Sequence, residues 1–119
     1  MSDTSKPAPK IIFRIQFEPD GRIGRGKIQL LSHIQETGSI SAAGRAMDMS
    51  YRRAWLLVDE MNRLFGEPVV ESQRGGKQGG GAVLTSFGQA LIERYGAMEA
   101  KARDALADDL AWFTAHRSG

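Results

Sequence analysis

The 119-residue sequence predicts a mainly α chain with a small antiparallel β-sheet. Apolar residues return at steps of three and four through four segments between Gly26 and His116, the period of amphipathic helices. Before and between them lie short runs of strand character, and Gly or Pro stands at most of the boundaries.

Residues 1–10 carry Ser, Asp, Thr, Lys, Pro7 and Pro9 without any apolar period, so they read as a flexible leader. In Ile11 to Phe17, the residues Phe13, Ile15 and Phe17 alternate with Arg14 and Gln16, the pattern of a half-buried strand. Glu18-Pro19-Asp20-Gly21 then forms a turn. One short strand is not stable alone, so it must pair with a later segment. From Gly26 the period becomes helical: Ile28, Leu31 and Ile34 share a face with Leu30 beside them, and Gly38 suits a left-handed C-terminal cap.

Ser39 caps a second helix of barely two turns, with Ile40, Ala43, Ala46 and Met47 inward. Asp48-Met49-Ser50 interrupts it. A third helix starts near Ser50, carries Tyr51, Ala54, Trp55, Val58, Met61 and Phe65 along one stripe, and stops at Gly66 before Pro68. Val69-Val70-Glu71 and Ala82-Val83-Leu84 flank a glycine-rich stretch from Ser72 to Gly81, which reads as a hairpin with an open tip. Thr85 or Ser86 caps a last helix running to about His116. Some 30 residues at about 1.5 Å each span roughly 45 Å, so its distal part must project from a domain whose radius of gyration is roughly 13 Å.

A short helix, a tight turn, a longer helix and then a hairpin make a winged helix-turn-helix, with a long C-terminal helix suited to dimerisation. The boundaries are 1–10 for the leader, 11–84 for the winged domain and 85–116 for the dimerisation helix. Composition fits one soluble domain, with 41% hydrophobic and 25% charged residues. Neither a membrane-spanning run nor a secretory signal is visible, so a cytoplasmic protein with no membrane partner is expected. With no cysteine and only His33 and His116, cysteine chemistry is excluded and no metal site or cofactor is expected. His33 has no nucleophile arranged with it, and the neighbouring carboxylates Asp59-Glu60 and Asp108-Asp109 do not face each other on a helix. No catalytic residue is assigned.

Net charge is only +2, but its distribution is uneven. Arg22 to Gly81 holds nine basic residues against six acidic, whereas Ala82 to Gly119 holds four against five. The positive excess therefore falls on the winged domain, as duplex DNA would require.

In a helix-turn-helix the N-terminal residues of the second motif helix meet base edges, and here they are Ser50, Tyr51, Arg52 and Arg53. Arginine can bridge guanine O6 and N7, while Ser and Tyr hydroxyls can donate to phosphates. Adjacent arginines can also be a merely solvated helix face, and the Tyr51 ring can instead belong to the core with Ala54 and Trp55. Gly38-Ser39-Ile40-Ser41 exposes N–H groups at a helix start, which suits a phosphate as well as ordinary capping, and Arg45 can add a second contact. Arg74 and Lys77 place charge on the glycine-rich wing. Lys77 precedes Gln78 and a strand rather than Ser or Thr and a helix, so a nucleotide-binding loop is a poor reading, and a plain flexible loop is the other option.

Along the last helix Leu91, Tyr95, Met98, Ala102 and Ala105 step by four and three, a heptad-like seam, with Leu106, Leu110 and Phe113 in a second stripe. The first turns can pack on their own domain; beyond about Ala100 self-association is favoured. The expected dimer seam is Leu91, Tyr95, Met98, Ala102, Ala105 and Leu106.

Several blocks together resemble the N-terminal DNA-binding domain of the ModE family of molybdate-responsive transcriptional regulators, whose head is related to LysR-type regulators. They are Gly38-Ser39-Ile40-Ser41, Ser50-Tyr51 with Ala54-Trp55, Glu60-Met61-Asn62, Gly75-Gly76-Lys77, Gly79 to Thr85, and Gly88-Gln89 with Leu91-Ile92 and Tyr95. The resemblance covers roughly Ile11 to Leu106. It implies a homodimer of winged heads that touches double-stranded DNA through Arg45, Ser50, Tyr51, Arg52 and the Lys77 loop. Two departures stand out. Asp48 occupies a place where the family's turn favours glycine, and Asp tolerates the left-handed conformation at some cost; Arg53 adds a basic residue beside the usual one. The family's molybdate-binding β-barrel region is not expected within these 119 residues, so no molybdate binding is expected from this chain alone. These readings together predict a bacterial ModE-type regulator, with repression by occlusion as its simplest mechanism. The alternative is a protein-interaction module that uses the long helix to join a separate sensor or a full-length relative.

Overall fold

A computed structural model describes residues 8–73 and 81–118. The elements are β1 (Arg14–Gln16), β2 (Arg22–Gly24), α1 (Arg25–Thr37), α2 (Ile40–Ala46), α3 (Tyr51–Phe65), β3 (Val70–Gln73), β4 (Gly81–Leu84), α4 (Ser86–Ala105) and α5 (Ala107–His116). This is the winged helix-turn-helix expected, with α2 and α3 as the motif and β3–β4 as the root of the wing. Most of the leader lies outside the described residues.

The first strand pairs at once with the next segment, across the Glu18–Gly21 turn. In that antiparallel ladder Ile15 faces Ile23, while Arg14 faces Gly24 and Gln16 faces Arg22. The sheet content is therefore two separate two-stranded ladders rather than one. The second pairs Val70 with Leu84 and Gln73 with Gly81.

The core gathers Leu30, Leu31 and Ile34 of α1, Ala43 of α2, Ala54 and Met61 of α3, and Val69, all of them fully buried. An edge-to-face chain of rings, Phe17 to Phe65 at 6.1 Å and Phe65 to Phe87 at 5.3 Å, then joins the first hairpin to α3 and α4. The stripe on α3 differs from the expected one. Leu57 is buried, whereas Trp55 is 45% and Tyr51 57% exposed, because the core takes the line Ala54, Leu57, Val58 and Met61. Ala46 also lies at the surface, not inward.

Tyr95 corrects the expected seam. Its ring stacks on Phe13 at 4.8 Å, its hydroxyl donates to the Phe13 carbonyl at 2.7 Å, and it is buried within the chain itself. Leu91 likewise packs against the core. A tyrosine with its hydroxyl satisfied inside has no surface left for a partner helix.

The last helix is not one rod. It breaks at Leu106, whose φ of −108° and ψ of 14° end α4 and open α5. Asp108 and Asp109 fall in the first turn of α5, where carboxylates interact well with the exposed N–H groups of a helix start. The two pieces nevertheless project: the molecule measures 59 Å along its longest axis, and its radius of gyration is 17.6 Å against roughly 13 Å for a compact chain of 100 residues.

Burial holds the Tyr95 phenol above its ordinary range, with the Glu99 carboxylate adding to the rise and Arg25 opposing it. A folded-state pKa raised in this way gives stability that is complete below the unfolded value, about 10, and is lost as pH climbs through the folded one. Tyr95→Phe is therefore expected to cost about 1 kcal/mol at neutral pH through the lost hydrogen bond. In urea titrations between pH 8 and 11, the gap between wild type and variant should narrow toward the alkaline end.

Candidate nucleic-acid interface

The turn of the motif is set by its backbone. Asp48 adopts φ +56°, the left-handed conformation that aspartate accepts more readily than most residues. The Met49 N–H then returns to the Gly44 carbonyl at 2.9 Å. Gly44 is buried where a Cβ would lie 3.2 Å from both the Ala54 Cβ and the Met49 carbonyl, so its lack of a side chain lets α2 and α3 close on each other.

Each motif helix begins on a serine cap. The Ser39 hydroxyl accepts the Ala42 N–H at 3.0 Å, and the Ser50 hydroxyl accepts the Arg53 N–H at 3.1 Å. Thr37, which sequence reasoning passed over, ties the preceding corner. Its hydroxyl donates toward the His33 carbonyl at 2.7 Å and accepts the Ser39 N–H at 3.3 Å. A Thr placed two residues before a capping serine was the signal available.

Ser50, Tyr51, Arg52 and Arg53 stand together as an exposed edge at the start of α3. The exposure of Tyr51 decides between its two readings in favour of the surface. On α2, Arg45 is exposed and its guanidinium donates to the Ser41 hydroxyl at 2.9 Å, which holds both groups on one helix face. Arg74 and Lys77 lie outside the described residues.

The wing is anchored from three sides. The Ala82 N–H donates to the Gly38 carbonyl at 2.9 Å, which pins β4 against the corner where α2 begins. The Asn62 carboxamide oxygen accepts the Val69 N–H at 2.8 Å. The Thr85 hydroxyl donates to the Pro68 carbonyl at 2.8 Å and accepts the Gly88 N–H at 3.0 Å, while the Thr85 N–H donates to the Val69 carbonyl at 3.0 Å. The wing root is thus bonded to the corner where α2 begins, and α2 in turn closes through Gly44 on the start of α3.

Among the described residues no group of His, Cys, Asp and Glu could hold a metal ion. Of the carboxylates noted in the sequence, Glu60 lies 3.1 Å from Lys27 and Asp59 lies 3.0 Å from Arg63. No helix among the described residues is long and apolar enough to cross a membrane.

Comparison with known proteins matches residues 26–89 to the family described as bacterial regulatory helix-turn-helix protein, lysR family. The chain belongs to this family. Its head is a DNA-binding head of the ModE kind, a module of transcription regulation. The molybdenum-pterin-binding protein MopB of Rhodobacter capsulatus is 53% identical over 79 residues, covering 66% of this chain and 29% of MopB. The DNA-binding transcriptional dual regulator ModE of Escherichia coli K12 is 46% identical over 86 residues, covering 70% of this chain and 33% of that protein. The ModE of Haemophilus influenzae is 33% identical over 90 residues, covering 76% of this chain and 35% of its own length. The chain therefore spans about a third of the length of these relatives.

The root of the wing gives a direct test of this geometry. A Cβ on Gly88 would collide with the Val69 carbonyl, whereas one on Gly96, in the same helix, meets nothing within 4 Å. Gly88→Ala is expected to lower stability by about 1–3 kcal/mol. Gly96→Ala should instead raise it by roughly 0.5–1 kcal/mol, as alanine does at an open helical site. Paired thermal melts of the two variants read the contrast.

Proposed function

We propose that this chain binds duplex operator DNA as a homodimer and represses transcription by occluding the promoter, in the bacterial cytoplasm. The observation that carries the reading is the capped, exposed edge from Ser50 to Arg53, beside a wing whose strand β4 is bonded to the Gly38 corner. In the proposed complex Tyr51, Arg52 and Arg53 reach into the major groove, where arginine can bridge guanine O6 and N7. Ser39, Ser41, Arg45 and Ser50 meet phosphates, and Arg74 and Lys77 extend the contact along the backbone from the wing.

The dimer seam is proposed on the distal stretch of the two C-terminal helices, with Met98, Ala102, Ala105 and Leu106 as its residues. Leu106 is 42% exposed and the aromatic pair Trp112 and Phe113 57% and 63%, which supports a partner there. Two heads on such a scaffold would recognise a two-fold-related site. No molybdate recognition is proposed for these residues, and the chain matches about a third of the length of the relatives. The same exposed aromatic end supports a second reading, in which the distal helix joins a separate sensor or a full-length relative.

Phosphate contacts predict that affinity for a duplex falls steeply and linearly in a log–log plot against salt. Arg52→Ala and Arg53→Ala are expected to relax base preference, each bidentate contact being worth about 1–3 kcal/mol, while Lys77→Ala weakens all sequences alike. Binding isotherms on a set of selected and scrambled duplexes measure both, and unchanged binding in all three variants would contradict the proposed docking. For the seam, a chain ended after Ala100 is expected to lose the dimer by light scattering. An undiminished dimer would place the interface elsewhere.

A further inference from the structure

The β1–β2 hairpin takes no part in the helix-turn-helix, and its outer face is basic. Its register turns the central pair, Ile15 and Ile23, toward the core, and Ile23 is buried. The flanking pairs, Arg14 with Gly24 and Gln16 with Arg22, consequently share the opposite face. Gly24 adds no side chain between the two arginines; a Cβ there would approach the Arg14 Cβ to 3.0 Å.

From this face an open groove of about 650 Å³ runs to the start of α3. Arg14, Arg22, Arg25, Lys27 and Arg53 line it against a single carboxylate, Glu60. Lys27 neutralises that carboxylate at 3.1 Å, and Arg25 lies 3.4 Å from Glu99. Arg14, Arg22 and Arg53 are exposed, and among the described residues none of them is in an ion pair. Met49 and Leu57 supply an apolar stretch of lining. The groove therefore shares Arg53 with the exposed edge of α3 and Met49 with the turn of the motif.

We propose that this groove holds the sugar-phosphate backbone of duplex DNA where it runs past the reading edge of α3. The chemistry matches: a strand presents regularly spaced anions separated by the less polar faces of its sugars, and the groove presents spaced cations over an apolar lining. An acidic peptide would satisfy the same charges. Continuity with the start of α3 through Arg53 favours DNA, because one strand can then touch both surfaces without a break. Contacts of this kind position the protein and carry no sequence information. The assignment rests on the DNA-binding reading above.

The test uses the full chain, a fluorescent 30-base-pair mixed-sequence duplex, and a salt titration followed by anisotropy. In the variant Arg14→Gln/Arg22→Gln, the log–log salt slope should fall by roughly two, and affinity near 0.1 M salt should fall on the order of ten-fold or more. Base preference, read with Arg52→Ala as the contrasting variant, should not change. Both arginines are exposed, and glutamine keeps the strand polar, so an unchanged thermal melt verifies the fold. If wild type binds with a steep slope and the double variant binds identically, the groove assignment is overturned while DNA binding stands. If wild type fails to bind the duplex at low salt, the DNA-binding reading itself falls and takes the groove with it. A double variant that matches wild type on DNA yet loses binding to polyglutamate would show that the groove serves a protein, against the proposal.

Discussion

The backbone of Val69 is the point on which the rest of the arrangement hangs. Its N–H is held by the Asn62 carboxamide of α3, its carbonyl receives the Thr85 N–H from the start of α4, and its side chain is fully buried. Gly88 allows the first turn of α4 to lie against that same carbonyl, where a side chain would not fit. One residue thus fixes three elements, and a buried peptide group left without these partners would cost about 1–3 kcal/mol. The wing leaves this anchor as β3 and returns as β4, so the direction in which it projects is inherited from α3.

From that constraint the proposed DNA-facing side follows by short links. Residue Ala82, buried at the returning strand, donates to the Gly38 carbonyl, which brings the wing root to the beginning of α2. Gly44 and the left-handed Asp48 close α2 on α3, and Ser50 caps the helix whose first turn carries Tyr51, Arg52 and Arg53. None of these basic groups needs to stabilise the fold. Their exposure is what remains after Ala54, Leu57, Val58 and Met61 have been turned inward.

Much of this was legible in the sequence because local chemistry decided it. The caps at Ser39 and Thr85, the helix stops at Gly38 and Gly66, and the tolerance of Asp48 for positive φ all depend on neighbours within a few residues. The proposed contact residues on α2 and α3 were chosen by that same local logic, and Arg45 and Ser50 to Arg53 are exposed. What escaped depended on distant partners. Trp55 and Leu57 are both apolar, and only the way the other elements pack on α3 decides that Leu57 is buried and Trp55 is not. Tyr95 fits a heptad step, yet Phe13, 82 residues earlier, claims its hydroxyl and its ring. The break at Leu106 has neither Pro nor Gly to announce it, and its one cue was the acidic pair Asp108 and Asp109 at the start of the next helix. Strand β2 was missed because Arg-Ile-Gly is too short to show a period.

The central claim is that one continuous side of the molecule, built from the starts of α2 and α3 and the root of the wing, meets DNA. Amide chemical-shift mapping by NMR during titration with a short duplex tests it most directly. The account predicts that the shifts concentrate at Ser39 to Arg45, at Ser50 to Arg53 and at the ends of β3 and β4, joined by Arg14 and Arg22 where the proposed groove is engaged, with α5 unmoved. Shifts confined to α5, or none at all at low salt, would contradict it.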